Sequence, residues 1–113
     1  MVTGDELRRL ALSLPEVEER ETWGEATFRV RDKIFVMLSP DERSAALRTS
    51  KQEQEALVGS QPETFAVASY TGRFGWVTVR LATVDPEELR ELTIDCWRRT
   101  APKRVVAAYD AVH

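Results

Sequence analysis

Cysteine and histidine are nearly absent from this chain of 113 residues, which has one of each, Cys96 and His113. A single cysteine excludes an internal disulfide, and the expectation is a reducing, cytoplasmic setting. One cysteine and one terminal histidine cannot assemble a zinc site. A Ser-His-Asp or Cys-His relay needs an imidazole held in place, and a terminal residue is usually frayed, so neither relay is available. No apolar run approaches the roughly twenty residues of a membrane span. The opening Met1-Val2-Thr3-Gly4-Asp5-Glu6 lacks the basic and apolar regions of a signal peptide. Gly72 and Gly75 precede a strand pattern rather than a helix, so they form no phosphate cradle. Nothing singles out a catalytic carboxylate pair. These absences lead to the expectation of a protein without catalytic activity and without a cofactor.

An excess of positive charge is missing too. The net charge is −3, whereas strong non-specific DNA binders carry a surplus of Lys and Arg that displaces counterions. Any nucleic-acid binding must therefore rest on a local patch and be modest in strength. The charges are unevenly spread. Asp5, Glu6, Glu16, Glu18, Glu19, Glu21 and Glu25 crowd the first 25 residues against Arg8, Arg9 and Arg20. Between residues 29 and 51 the balance reverses, with Arg29, Arg31, Lys33, Arg43, Arg48 and Lys51 against Asp32, Asp41 and Glu42.

What is present is the patterning of one ordinary globular domain spanning residues 1–113, long enough to bury a core. Thr3-Gly4-Asp5-Glu6 and Ser50-Lys51-Gln52-Glu53 fit capping boxes. The first opens a helix with a Leu7, Leu10, Ala11 and Leu14 stripe stopped by Pro15, and the second a short helix closed by Gly59. Asp85-Pro86-Glu87-Glu88 starts a third, with Leu89, Leu92, Thr93 and Cys96 inward. A fourth begins near Pro102 and buries Val105, Val106, Tyr109 and Val112. Period-two patterns place strands at 17–23, 26–30, 34–38, 44–49, 64–69 and 76–82. The run Ile34-Phe35-Val36-Met37-Leu38 is apolar on both faces and reads as a strand at least partly covered on both sides. Consecutive strands with short turns predict an α+β domain, an antiparallel sheet with helices packed on one face.

The stretch Gly72-Arg73-Phe74-Gly75-Trp76-Val77-Thr78-Val79-Arg80-Leu81 is the most informative. Val77, Val79 and Leu81 suit a core, which leaves Trp76, Thr78 and Arg80 on the other face, beside Arg73, Phe74 and Tyr70. Arginines beside aromatic rings suit a polyanion, with phosphates on the cations and bases stacked on the rings. Arg29, Arg31 and Lys33 extend the patch, as do Lys103 and Arg104, whose charges oppose their own helix dipole. Trp76 is equally explained as a cap on the core. The same patch could serve a protein partner instead. The carboxylates Glu16, Glu18, Glu19, Glu21 and Glu25 offer a third reading, weak cation binding at an acidic edge, against that of a solvated edge that discourages aggregation.

The chain resembles the MmcQ/YjbR family of small bacterial proteins, often described as DNA-binding. The resemblance rests on residues 11–19 (ALSLPEVEE), on Trp23-Gly24 followed by Phe28-Arg29-Val30-Arg31-Asp32-Lys33-Ile34-Phe35, on residues 75–81 (GWVTVRL) and on residues 97–104 (WRRTAPKR). It implies a CyaY-like α+β domain that binds DNA through two wing-like hairpins. Here the wings fall at Arg31-Asp32-Lys33 and at Tyr70 to Trp76. It implies no catalytic residues. The CyaY-like fold also suggests iron binding through Glu16, Glu18, Glu19 and Glu21, an analogy of fold alone.

Overall fold

The computed structural model describes residues 1–113. Four helices, α1 (Gly4–Leu12), α2 (Lys51–Ser60), α3 (Pro86–Thr100) and α4 (Lys103–Val112), combine with six strands, β1 (Val17–Thr22), β2 (Glu25–Val30), β3 (Lys33–Leu38), β4 (Ser44–Arg48), β5 (Phe65–Val67) and β6 (Trp76–Arg80). The strands form one antiparallel sheet in the order β1-β2-β3-β4-β6-β5. This is the α+β architecture expected. The helix starts follow from local chemistry: Thr3, Ser50 and Asp85 each accept a hydrogen bond from the backbone N–H three residues on. α2 runs past Gly59 to Ser60 with Gln61 as its cap, so that glycine is not the cap.

Two-residue turns set the first hairpins. Trp23 and Gly24 join β1 to β2 with φ of 55° and 81°, and Arg31 and Asp32 join β2 to β3 with φ of 50° and 69°. Positive φ at both central residues matches the right-handed twist of the flanking strands. The register shifts by one residue between Phe28 and Arg29 opposite β3. That bulge lets adjacent Phe35 and Val36 both join the core. The apolar run of β3 therefore reflects a bulge, not a sheet covered on both sides; Ile34 and Met37 are only half-buried.

The core lies between the sheet and the helices. Phe28, Val36, Leu47 and Val77 align across the sheet and meet Leu7, Leu89 and Trp97 from the helices. Trp97 is fully buried, donates its indole N–H to the Pro15 carbonyl at 3.1 Å and meets Tyr109 edge-on. Val105 is buried in α4, whereas Val112, expected inside, stands in solvent. β5 is shorter than its sequence pattern because after Val67 the chain folds into a 3₁₀ turn, Thr71–Phe74. No helix is long and apolar enough to cross a membrane.

Antiparallel pairing sorts the connections to two ends of the sheet. One end carries the start of β1, the β2–β3 turn, the β4–α2 junction and the β5–β6 loop. The opposite end carries the β1–β2 and β3–β4 turns, the start of β5 and the end of β6.

Candidate nucleic-acid interface

The end bearing the β2–β3 turn gathers cations that are far apart in sequence. Arg31 and Lys33 flank that turn, Arg48 closes β4, Lys51 opens α2, Arg73 lies in the 3₁₀ turn, and Arg99 ends α3 beside Ser50. The β2–β3 turn and the β5–β6 loop lie three strand positions apart, about 14 Å at the usual strand spacing. The opposite end collects Asp5, Glu6, Asp41, Glu42, Asp85, Glu87 and Glu88; there Glu42 sits directly against Gly4. Glu16, Asp32, Glu53 and Asp95 also stand at the first end and Arg43 and Arg80 at the second, so the polarity along the strands is an imbalance of charge and not a separation of signs.

The loop at the basic end is held open by specific contacts. Gln54, buried in α2, donates through Nε2 to the carbonyls of Gly72 and Trp76, both at 2.7 Å. Gly75 has φ of 97° and faces the Thr49 carbonyl so closely that a Cβ there would stand 2.6 Å away. Fixed in this way, the loop exposes 65% of Phe74, with the Arg73 guanidinium 4.8 Å from its ring centroid. Tyr70 is 94% exposed. Its φ of 62° and ψ of −55°, with the Thr71 N–H donating to the Ser69 carbonyl at 2.6 Å, make a tight γ-turn.

The residues expected to bind nucleic acid fall in different places. Lys33, Arg73, Phe74, Lys103 and Arg104 are exposed at the basic end. Arg31 is there too, but Glu16 grips it in a fork, Nε to Oε1 at 2.6 Å and Nη2 to Oε2 at 3.3 Å. The guanidinium holds the Glu16 carboxyl below the usual range, with Arg104 adding a weaker pull. Arg29 is half-buried on the open face of the sheet, where it donates to the hydroxyls of Thr27 and Thr22. Three placements correct the sequence reading. Trp76 is only 8% exposed, so its ring cannot be a stacking surface; both α2 and the 3₁₀ turn pack against β6. Arg80 lies at the far end of β6, opposite Ser44, away from the cations of the basic end. Tyr70 turns toward the open sheet face rather than the basic end.

Sequence reasoning left Arg48, Lys51, Arg99 and Gln54 out of the site. The register Arg48↔Trp76 puts Arg48 beside the aromatic loop, which only the pairing of β4 with β6 reveals. The acidic edge does not converge. Glu16 pairs with Arg31, Glu18 with Arg20 and Glu19 with Arg8, and no group of three carboxylate, thiol or imidazole side chains is placed to hold a metal ion. Cys96 is buried and its thiol is pushed up to about 12, chiefly by desolvation, so it remains protonated at neutral pH.

The sequence model of the family described as YjbR matches residues 12–99. The fold is similar to the crystal structure of Deinococcus radiodurans protein DR2400, which has a DUF419 domain, with a TM-score of 0.78 and 25% identity. That similarity covers 86% of this chain and 77% of the other. No curated protein matches this chain.

Proposed function

The chain belongs to the YjbR family, and from that premise we propose that it is a non-catalytic DNA-binding module whose basic end contacts phosphates. The observation that carries this reading is the charge polarity: a chain of net charge −3 presents Lys33, Arg48, Lys51, Arg73 and Arg99 together at one end. None of these five takes part in an ion pair, unlike Arg8, Arg20, Arg31, Arg90 and Arg98. Unpaired cations are free to replace counterions on a phosphate backbone, and each contact adds about one unit to the salt slope. Lys33 follows the two-residue β2–β3 turn and Arg73 lies in the β5–β6 loop, on either side of β4, which suits a two-pronged contact with a phosphate backbone, and Phe74 offers an apolar face that can press on sugar or base. The acidic end points away from the polyanion and orients the encounter.

The test is fluorescence anisotropy of labelled duplex and single-stranded oligonucleotides across salt concentrations. Binding should weaken linearly in log salt. The double variant Lys33→Glu with Arg73→Glu should lower affinity by at least tenfold and reduce the slope by about two. The absence of binding at low salt, or an unchanged slope in the variant, refutes the reading.

A further inference from the structure

The open face of the sheet has a feature that the basic end does not use. Two depressions of about 480 Å³ and 230 Å³ lie side by side there and share Ser44 and Thr78. The larger one is lined by Met37, with the short Ala46 and Thr78 as the low part of its floor, and by Tyr70 at its strained γ-turn. Its volume lies in the range of small-molecule sites. The smaller one is lined by Arg43 and Arg80, neither of which takes part in an ion pair, with Glu63 as its one carboxylate. At the far side of the larger depression stands Glu25, also without an ion-pair partner. Glu25 on β2 and Arg80 on β6 are three strand positions apart, about 14 Å before their side chains reach inward.

We propose that this groove binds a nucleotide, with the base against Tyr70 and the phosphate on Arg43 and Arg80. A flat ring fits over Ala46 and Thr78 and stacks on the phenol, which is 94% exposed and in no aromatic pair of its own. Two unpaired guanidiniums next to that floor supply the charge complement for a phosphate. Glu25 accepts from an exocyclic amine, so adenine and cytosine are preferred over uracil, which has a carbonyl at the corresponding position. A duplex keeps its bases stacked and paired, so the ligand is a free mononucleotide or an unpaired nucleotide of a single strand. The site is separate from the basic end: Arg43 and Arg80 lie at the opposite end of β4 and β6.

The experiment is an amide NMR titration of the full chain with AMP, UMP, a short single-stranded oligoadenylate and a duplex. AMP should shift the amides of Ala46, Thr78 and Tyr70 and bind about tenfold tighter than UMP, with Glu25→Gln removing the preference. Ala46→Phe, which fills the floor, and Arg80→Glu, which leaves the floor intact, should each weaken AMP at least tenfold. Lys33→Glu with Arg73→Glu should leave it unchanged. Shifts with AMP alone assign a free nucleotide, and tighter binding of the oligoadenylate assigns a strand. No shift on the open face with either AMP or the oligoadenylate, or equal affinity for AMP in Ala46→Phe and Arg80→Glu as in the unaltered chain, overturns the proposal whatever the basic end does.

Discussion

Gly24 and Gly75 have positive φ for different reasons, and their substitutions separate two costs. At Gly24, φ is 81° and nothing lies within 4 Å of where a Cβ would stand, so Gly24→Ala meets only the left-handed backbone penalty, about 1–2 kcal/mol. At Gly75, φ is 97° and a Cβ would press on the Thr49 carbonyl at 2.6 Å and the Lys51 nitrogen at 2.9 Å. Backbone atoms at the β4–α2 junction cannot swing aside as a side-chain tip can. Gly75→Ala should therefore destabilise by clearly more than Gly24→Ala and should also loosen the loop that presents Arg73 and Phe74. Urea denaturation of the two variants checks the order; equal losses would mean that the junction yields.

At the scale of elements, the β1–β2 hairpin contains an unfavourable choice. Trp23 is 97% exposed with φ of 55°, in a two-residue turn where Asn followed by Gly is the favoured pair. A bulky side chain at positive φ is an outlier, and here no packing offsets it. Trp23→Asn should raise stability by about 1 kcal/mol, seen as a higher urea midpoint with an unchanged slope. A lower midpoint would show that the indole packs in solution. The hairpin also marks how far the sequence could be read. The caps at Thr3, Ser50 and Asp85 were legible because the capping oxygen and the N–H it receives are three residues apart. The strands were legible because alternation is local. Burial of Trp76 was not, since it follows from how α2 and the β5–β6 loop pack on β6, contacts between segments distant in sequence. The paired burial of Phe35 and Val36 was equally hidden, because a bulge is a property of two strands in register. Arg48 and Arg99 joined Arg73 only through the strand order and the direction of α3.

For the whole molecule, polarity makes the two ends respond differently to acid. At neutral pH the basic end is tied to the sheet by the Glu16–Arg31 fork, and Asp41 at the acidic end accepts from the Ser39 hydroxyl and the Arg43 N–H. Both carboxyls are held below their ordinary values, Glu16 mainly by the hydrogen bond from Arg31 and Asp41 mainly by that from Ser39. A carboxyl with a lowered folded-state value stabilises the fold at pH above the unfolded value, and that stabilisation is lost as pH falls through the folded one. Below the ordinary carboxylate range, protonation of Glu16 removes the ion-pair partner of Arg31 and leaves that guanidinium unpaired in the β2–β3 turn. Protonation of Asp41 at the acidic end weakens hydrogen bonds inside its own turn, from the Ser39 hydroxyl and the Arg43 N–H, and leaves no ion-paired cation without its partner. Acid should therefore open the basic end first. Protection factors, which remove the intrinsic pH dependence of amide exchange, should fall more between pH 7 and pH 3 around Arg31–Lys33 and Val17 than around Ser39–Ser44. Arg31→Gln should show the same local opening already at neutral pH, with little further change on acidification. A uniform fall in protection along the chain would mean that the two ends unfold as one unit and that the fork carries no separate pH response.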